Sequence, residues 1–236
     1  MSASTEAGPS PFTLLFAPDR GMDRQARVGR AGRLFLFAWL CALLLGAALA
    51  YRVDARSTTL RKLEMSGQLQ TMSDRQIADE THSAERVAEV LSVAKGVVGV
   101  PLQLGSSCVA LLALVWFLRG RIKGSAVVPV AAATLLPGAI ADLLDALTAF
   151  RHEALPPDGV PLTPRSLSAI LPLFGHTLDG PWMKLGNALD FFSLWAAVML
   201  AFGVAAVGQI SKKNALFGTL AAWVCYQLLA HIATKG

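Results

Sequence analysis

The chain has 236 residues, of which 54% are hydrophobic and only 16% charged, with a formal net charge of +5 and a mean hydropathy of +0.51. An ordinary soluble domain carries about 25% charge, so this composition excludes a disordered chain, a highly charged coiled coil and a nucleic-acid-binding tail protein. The apolar residues come in nearly uncharged blocks of about 20, the length that crosses a hydrocarbon core about 30 Å thick. They predict an all-α, polytopic integral membrane protein: a bundle of five transmembrane helices with an amphipathic helix before the second span.

Residues 1–33 read as a polar N-terminal tail. Phe12, Leu14, Leu15 and Phe16 form a short apolar patch, and Arg20, Arg24, Arg27, Arg30 and Arg33 follow at helical spacing. This is a short interfacial helix whose five arginines are expected to contact lipid headgroups. The first span is 34–51. Ala48-Leu49-Ala50 is the nearest cleavage-like triplet, but no clean site precedes the polar sequence, so the block is a span rather than a signal peptide.

Residues 52–96 form a loop in which basic and acidic residues balance. Ser73 and Gln76 make a capping-box start. Val87, Val90, Leu91 and Ala94 then recur at helical spacing, and Arg75 with Asp79 is an i,i+4 pair. The pattern predicts an amphipathic helix over about 74–95, with Gly67 interrupting the loop before it. The second span, 97–118, carries Pro101 in its first turn or two, where a missing donor is cheap. A short basic turn at 119–124 leads to the third span, 126–147, which Pro137-Gly138 should kink.

The loop 148–187 is proline-rich. Within it, 166–175 is apolar but half a span long, hence interfacial or re-entrant. The fourth span is 188–210, a basic turn follows at 211–214, the fifth span is 215–232, and 233–236 is a short tail. Five spans put the termini on opposite sides. The tail and the two tight turns hold ten basic residues and the other segments eleven. The count does not discriminate, but the tight turns carry no acids. Short loops next to span ends dominate orientation, which predicts a cytoplasmic N-terminus and an outer C-terminus. The natural setting is a bacterial inner membrane.

No GxSxG, HExxH, P-loop or GxGxxG pattern occurs, so the protein is expected to be non-enzymatic, with no cofactor and no metal. Cys41, Cys108 and Cys225 lie inside apolar blocks without metal-like spacing and read as small apolar filler. The sharpest polar feature is acidic. Asp142 and Asp145 share a helix face near the outer end of the third span, Asp190 begins the fourth on the same side, and His152, Glu153, His176 and Asp179 lie between. Functionally these suggest an outward-facing cation or proton site. Structurally they are acids at helix ends facing headgroup water, and Asp190 suits a helix N-terminus. His82 is expected solvated, and His231 near the interface. Gly46 with Ala50, and Gly218 with Ala222, are small-xxx-small pairs that permit close packing or self-association.

At the fourth and fifth spans the sequence acquires a family character. The run Leu185-Gly-Asn-Ala-Leu-Asp-Phe-Phe-Ser-Leu-Trp195, Gly203 within the span, Ser211-Lys-Lys-Asn-Ala215 and Trp223 resemble the bacterial branch of the Yip family of five-span membrane proteins. Pro11-Phe12 to Pro18, Met72-Ser73 and the turn at 119–124 resemble it too, so the likeness covers about residues 11–232. It implies a compact five-helix bundle with a cytoplasmic N-terminus. Eukaryotic members are associated with Rab-type GTPases through an Asp-Leu-Tyr-Gly-Pro-like motif. This tail lacks that motif, and Leu178-Asp-Gly-Pro-Trp182 lies after the third span, so the resemblance does not extend to a GTPase partner. The leading expectation is a membrane-organising scaffold whose partners are lipids, other membrane proteins or a second copy, with no nucleic acid. The alternative is a small transporter or cation-conducting protein using Asp142, Asp145 and Asp190.

Overall fold

The computed structural model describes residues 8–152, 155, 162–175, 183, 186 and 189–233, the side chains of 173 and 230–233 excepted. Among these the elements are helical, and extended pairing is limited to two isolated bridges. Four helical stretches are long and apolar enough to cross a membrane: Gly32–Arg52, Asp74–Phe117, Gly124–Arg151 and Phe191–Gly208. The expected fifth span lies within a helix over Lys212–Ala233, and its last residues, with the side chain of His231, fall outside the described side chains. Glu153, His176, Asp179 and the run 178–182 lie outside the described residues as well.

The chain divides into two compact units. The first comprises Met1–Ala38, Val100–Ile140 and Pro164–Gly236. It opens with two short helices, α1 (Pro11–Phe16) and α2 (Pro18–Val28). Ser10 caps α1 by accepting the Thr13 N–H, and Gly29, in the left-handed region, ends α2. The core of this unit joins Leu14, Met22 and Ala26 from these helices to Leu111 and Val115, to Ala126, Val130 and Ala133, and to Met199 and Val204. Leu14 and Met22 are fully buried. One side of the N-terminal segment is therefore built into the core, while Phe12, Phe16 and the five arginines stay exposed. Its α2 packs on α6 (Gly124–Thr134) and α9 (Phe191–Gly208), and α9 packs on α10 (Lys212–Ala233).

At the expected Pro137-Gly138 kink the helix is interrupted for one residue, Leu135, whose backbone stays helical. Helix α6 stops at Thr134 and α7 (Leu136–Arg151) restarts one residue later. Pro137 offers no N–H to the carbonyl four residues back and its ring crowds that turn. The segment 166–175 forms α8 (Leu167–Ile170) and a 3₁₀ turn over Leu171–Phe174, too short to cross.

The second unit comprises Trp39–Gly99 and Ala141–Thr163. Helix α3 (Gly32–Arg52) runs into it, α4 (Ala55–Met65) comes next, and α5 (Asp74–Phe117) begins there. Residue spacing did not pick out α4. Asp54 starts it by accepting the Ser57 N–H at 3.0 Å, a bond that also holds its carboxyl below the usual carboxylate range. Gly67, with a φ of +71°, turns the chain just beyond the end of α4. The capping box forms as expected: the Ser73 N–H donates to Gln76 Oε1 at 2.9 Å, and the Gln76 N–H to Ser73 Oγ at 3.4 Å.

Residues 74–95, expected as a separate amphipathic helix, and the expected second span lie in one continuous helix of 44 residues. Pro101, expected near a span's start, is therefore interior. Having no N–H, it leaves the Val97 carbonyl without its helical donor, and the indole Nε1 of Trp39 donates to that carbonyl at 3.0 Å. Helices α3 and α5 meet at Gly46 and Gly96: a Cβ at Gly46 would sit 2.8 Å from the Ser92 carbonyl oxygen, and one at Gly96 3.0 Å from that of Ala42. The small residue at 46 thus serves a crossing within the chain, as Gly218 serves one against Leu118.

Candidate functional site

The basic residues of the first unit are collected by direct contacts. Arg20, Arg24, Arg27, Arg30 and Arg33 line its N-terminal segment, and all five are exposed. Behind them Gln25, only 2% exposed, anchors α2: its Nε2 donates to the Arg30 carbonyl at 2.7 Å and to the Pro129 carbonyl at 3.2 Å. Lys123 Nζ reaches the Ala26 carbonyl at 3.5 Å, at the C-terminal end of α2 where a cation suits the helix dipole. Lys212 Nζ lies 3.1 Å from Asp23 and 3.7 Å from Asp19. The basic turn 119–123 is clipped to the end of α9, with the Arg121 N–H donating to the Gly208 carbonyl at 2.9 Å and the Lys123 N–H to that of Val207 at 3.0 Å. Gly120 makes the clip possible, since a Cβ there would stand 2.7 Å from the Gly208 oxygen.

One face thus brings together the tail and both tight turns. Lys212 is neutralised by two carboxylates, whereas Lys213, beside it, makes no ion pair among the described residues. On α1, Phe12 and Phe16 are both exposed, stacked with ring centroids 6.4 Å apart, and Phe16 also meets Trp195 at 6.3 Å. The segment offers apolar rings and guanidinium groups side by side, the combination that holds a helix in the headgroup region.

The three acids divide between the two units. Asp145 is buried at 6% exposure, and its Oδ1 accepts the Thr163 N–H at 2.9 Å. Asp142 is half-buried one turn earlier on α7. Both belong to the second unit. Asp190 belongs to the first, where its Oδ1 caps α9 by accepting the Ser193 N–H at 2.9 Å. Its Oδ2 lies 3.0 Å from Arg165 Nε in a charge contact rather than an aligned hydrogen bond. Both oxygens of Asp190 therefore have structural partners. Among the described residues no three His, Cys, Asp or Glu side chains come together as a group that could hold a metal ion.

No family model, curated protein or solved structure matches this chain.

Two features that residue spacing did not flag lie in the first unit. Gln25 sits in a run of charged residues with nothing to mark it as an internal tie. A cavity of about 560 Å³ between α5, α6, α9 and α10 has a hydroxyl-rich wall. There the Thr219 Oγ1 is buried without a hydrogen-bond partner, an arrangement that costs about 1–3 kcal/mol when nothing fills it. Ser107, Ser193, Thr219 and Tyr226 are scattered over three helices, so no local signal joins them.

Proposed function

We propose that this chain is a non-enzymatic, Yip-like membrane protein of five spans that organises anionic lipid, and membrane partners carried with it, at one face of the bilayer. The observation that carries the reading is the convergence of the tail and the two basic turns through Lys123, Lys212 and Arg121. Basic groups beside a bilayer attract anionic headgroups by about 1 kcal/mol each, and a rigid set of them selects lipids where a loose tail only drifts near them. The engaged oxygens of Asp190 and the Asp145–Thr163 bond favour this over a cation path.

In this reading α10 is the fifth crossing. Its 22 residues reach about 33 Å at 1.5 Å per residue. The acid-free turns support an N-terminus in the cytoplasm of a bacterial cell and a C-terminus outside.

The lipid claim is tested with protein in vesicles containing spin-labelled phosphatidylglycerol or phosphatidylcholine. The anionic lipid is expected to be preferred, and replacing Arg20, Arg24, Arg27, Arg30 and Arg33 by Gln should erase most of that preference. Raising salt to about 1 M, where the screening length falls to about 3 Å, should do the same. Equal selectivity in wild type and variant defeats the reading. The topology is tested by single cysteines at Thr148, Asn214 and Lys235 in a background lacking the three native cysteines. An impermeant thiol reagent should label 148 and 235 in intact cells and spare 214, and the opposite pattern inverts the protein.

A further inference from the structure

We propose that the cavity between α5, α6, α9 and α10 is a binding site for an uncharged amphiphile that presents carbonyl oxygens and carries an apolar tail. The cavity, about 560 Å³, is in the size range of small-molecule sites. Among the described residues no charged side chain lines it, so neither an ion nor a charged headgroup finds a counter-charge from them. Its polar groups are hydroxyls and the Trp223 indole; Ser106 and Thr134 give their protons to the Gln103 and Ala131 carbonyls, and the donors left over select the ligand. Ser193 Oγ already accepts from Trp223 Nε1 at 3.0 Å and from Gln227 Nε2 at 3.4 Å. A hydroxyl has one proton to give and two lone pairs to receive, so Ser193 can only donate. Thr219, 2% exposed, has an Oγ1 without any partner. Tyr226, exposed on α10, adds a phenolic hydroxyl at the rim. The group these donors fit is an oxygen acceptor.

The tail is set by the neighbouring surface. An apolar groove of about 1100 Å³ shares Ala113, Leu114 and Ala222 with the cavity. It continues past Cys225, Phe217 and Leu118 to Lys213 at its far end. A head in the cavity and a chain in the groove describe one molecule. It arrives from the bilayer, because α5 and α9, which wall the cavity, are among the helices apolar enough to cross a membrane. Two lipid-soluble classes share this chemistry, quinones with isoprenoid chains and neutral acylglycerols. The cavity shares no residue with the basic face, and the groove reaches that face only at Lys213, so binding here reads out separately from the lipid preference of the arginines.

The test uses the full chain in neutral detergent with two probes, a benzoquinone bearing one isoprenoid unit and dioctanoylglycerol. Binding is followed by tryptophan fluorescence and by the rise in unfolding temperature. One probe is expected to bind saturably, and its identity names the source. Thr219→Val, which keeps the side chain's shape and removes the hydroxyl, should weaken binding about tenfold while leaving the unliganded protein as stable as wild type or more so. Ser193→Ala should weaken it as well. A protein that binds neither probe beyond micelle partitioning, or binds one equally well in wild type and both variants, overturns the proposal and leaves a water-filled cavity.

Discussion

Gly46→Val is expected to part α3 from α5 and to lower the unfolding temperature in detergent by roughly 2–12 °C, from an overpacking cost of about 1–3 kcal/mol at about 2–4 °C per kcal/mol for a chain of this size. A Cβ at 46 would meet the Ser92 carbonyl oxygen at 2.8 Å and the Gly96 Cα at 3.3 Å. Both are helix backbone, so no side chain can swing away and the two helices must separate. Separation would also draw Trp39 from the Val97 carbonyl that Pro101 leaves bare, exposing a second unpaired group in apolar surroundings. Gly99→Ala is the control. It lies on the same helix as Gly96 with nothing within 4 Å of a new Cβ, so it should be neutral or stabilise by up to about 1 kcal/mol through helix propensity. Equal unfolding temperatures for Gly46→Val and Gly99→Ala would show that the helices do not approach at this point.

Gln25→Leu is expected to loosen α2 and to speed tryptic cleavage after Arg24 and Arg27 by about 10- to 100-fold, the consequence of about 2 kcal/mol lost from local closure. Leucine fills nearly the same space, so the packing of Met22 and Ala26 is kept and the deletion falls on the two hydrogen bonds to Arg30 and Pro129. Gln25→Glu should be worse, because a carboxylate would face two carbonyl oxygens with no proton to give. The leucine variant also separates position from charge. Gln25→Leu retains all five arginines, yet its preference for anionic lipid should fall toward that of the arginine-to-glutamine protein if the seat of α2 is what makes the face selective. Unchanged cleavage kinetics would mean that Gln25 does not hold the helix down.

Local chemistry was readable along the chain. Ser73 and Gln76 marked a helix start, Gly67 an interruption and Pro137 a kink, because each acts through hydrogen bonds within a few residues of itself. Pro101 was placed in the wrong part of its helix for a related reason. Polarity marked a boundary near residue 96, but helix propensity has no stake in where membrane begins, and the backbone continues from Asp74 to Phe117. The acids show the limit more sharply. The sequence put Asp142, Asp145 and Asp190 at helix ends, and spacing could not tell that Asp190 faces Arg165 or that Asp145 is buried on the Thr163 N–H.

Class and rhythm are therefore written in the residues alone: an all-helical chain with apolar stretches of membrane length, its caps and breaks, and clusters of basic charge beside them. Which apolar faces pack and which stay open was settled by the three-dimensional arrangement. In a membrane both the lipid-facing and the helix-facing sides of a span are apolar, so periodicity carries no sign to separate them. Burial of α2, the Trp39–Val97 bond across 58 positions, the Gln25–Pro129 bond across 104 and the Lys212–Asp19 contact across 193 depend on where helices cross. The unpaired hydroxyl of Thr219 depends on the same crossings, since a hydroxyl becomes a binding group only when packing withholds every other partner.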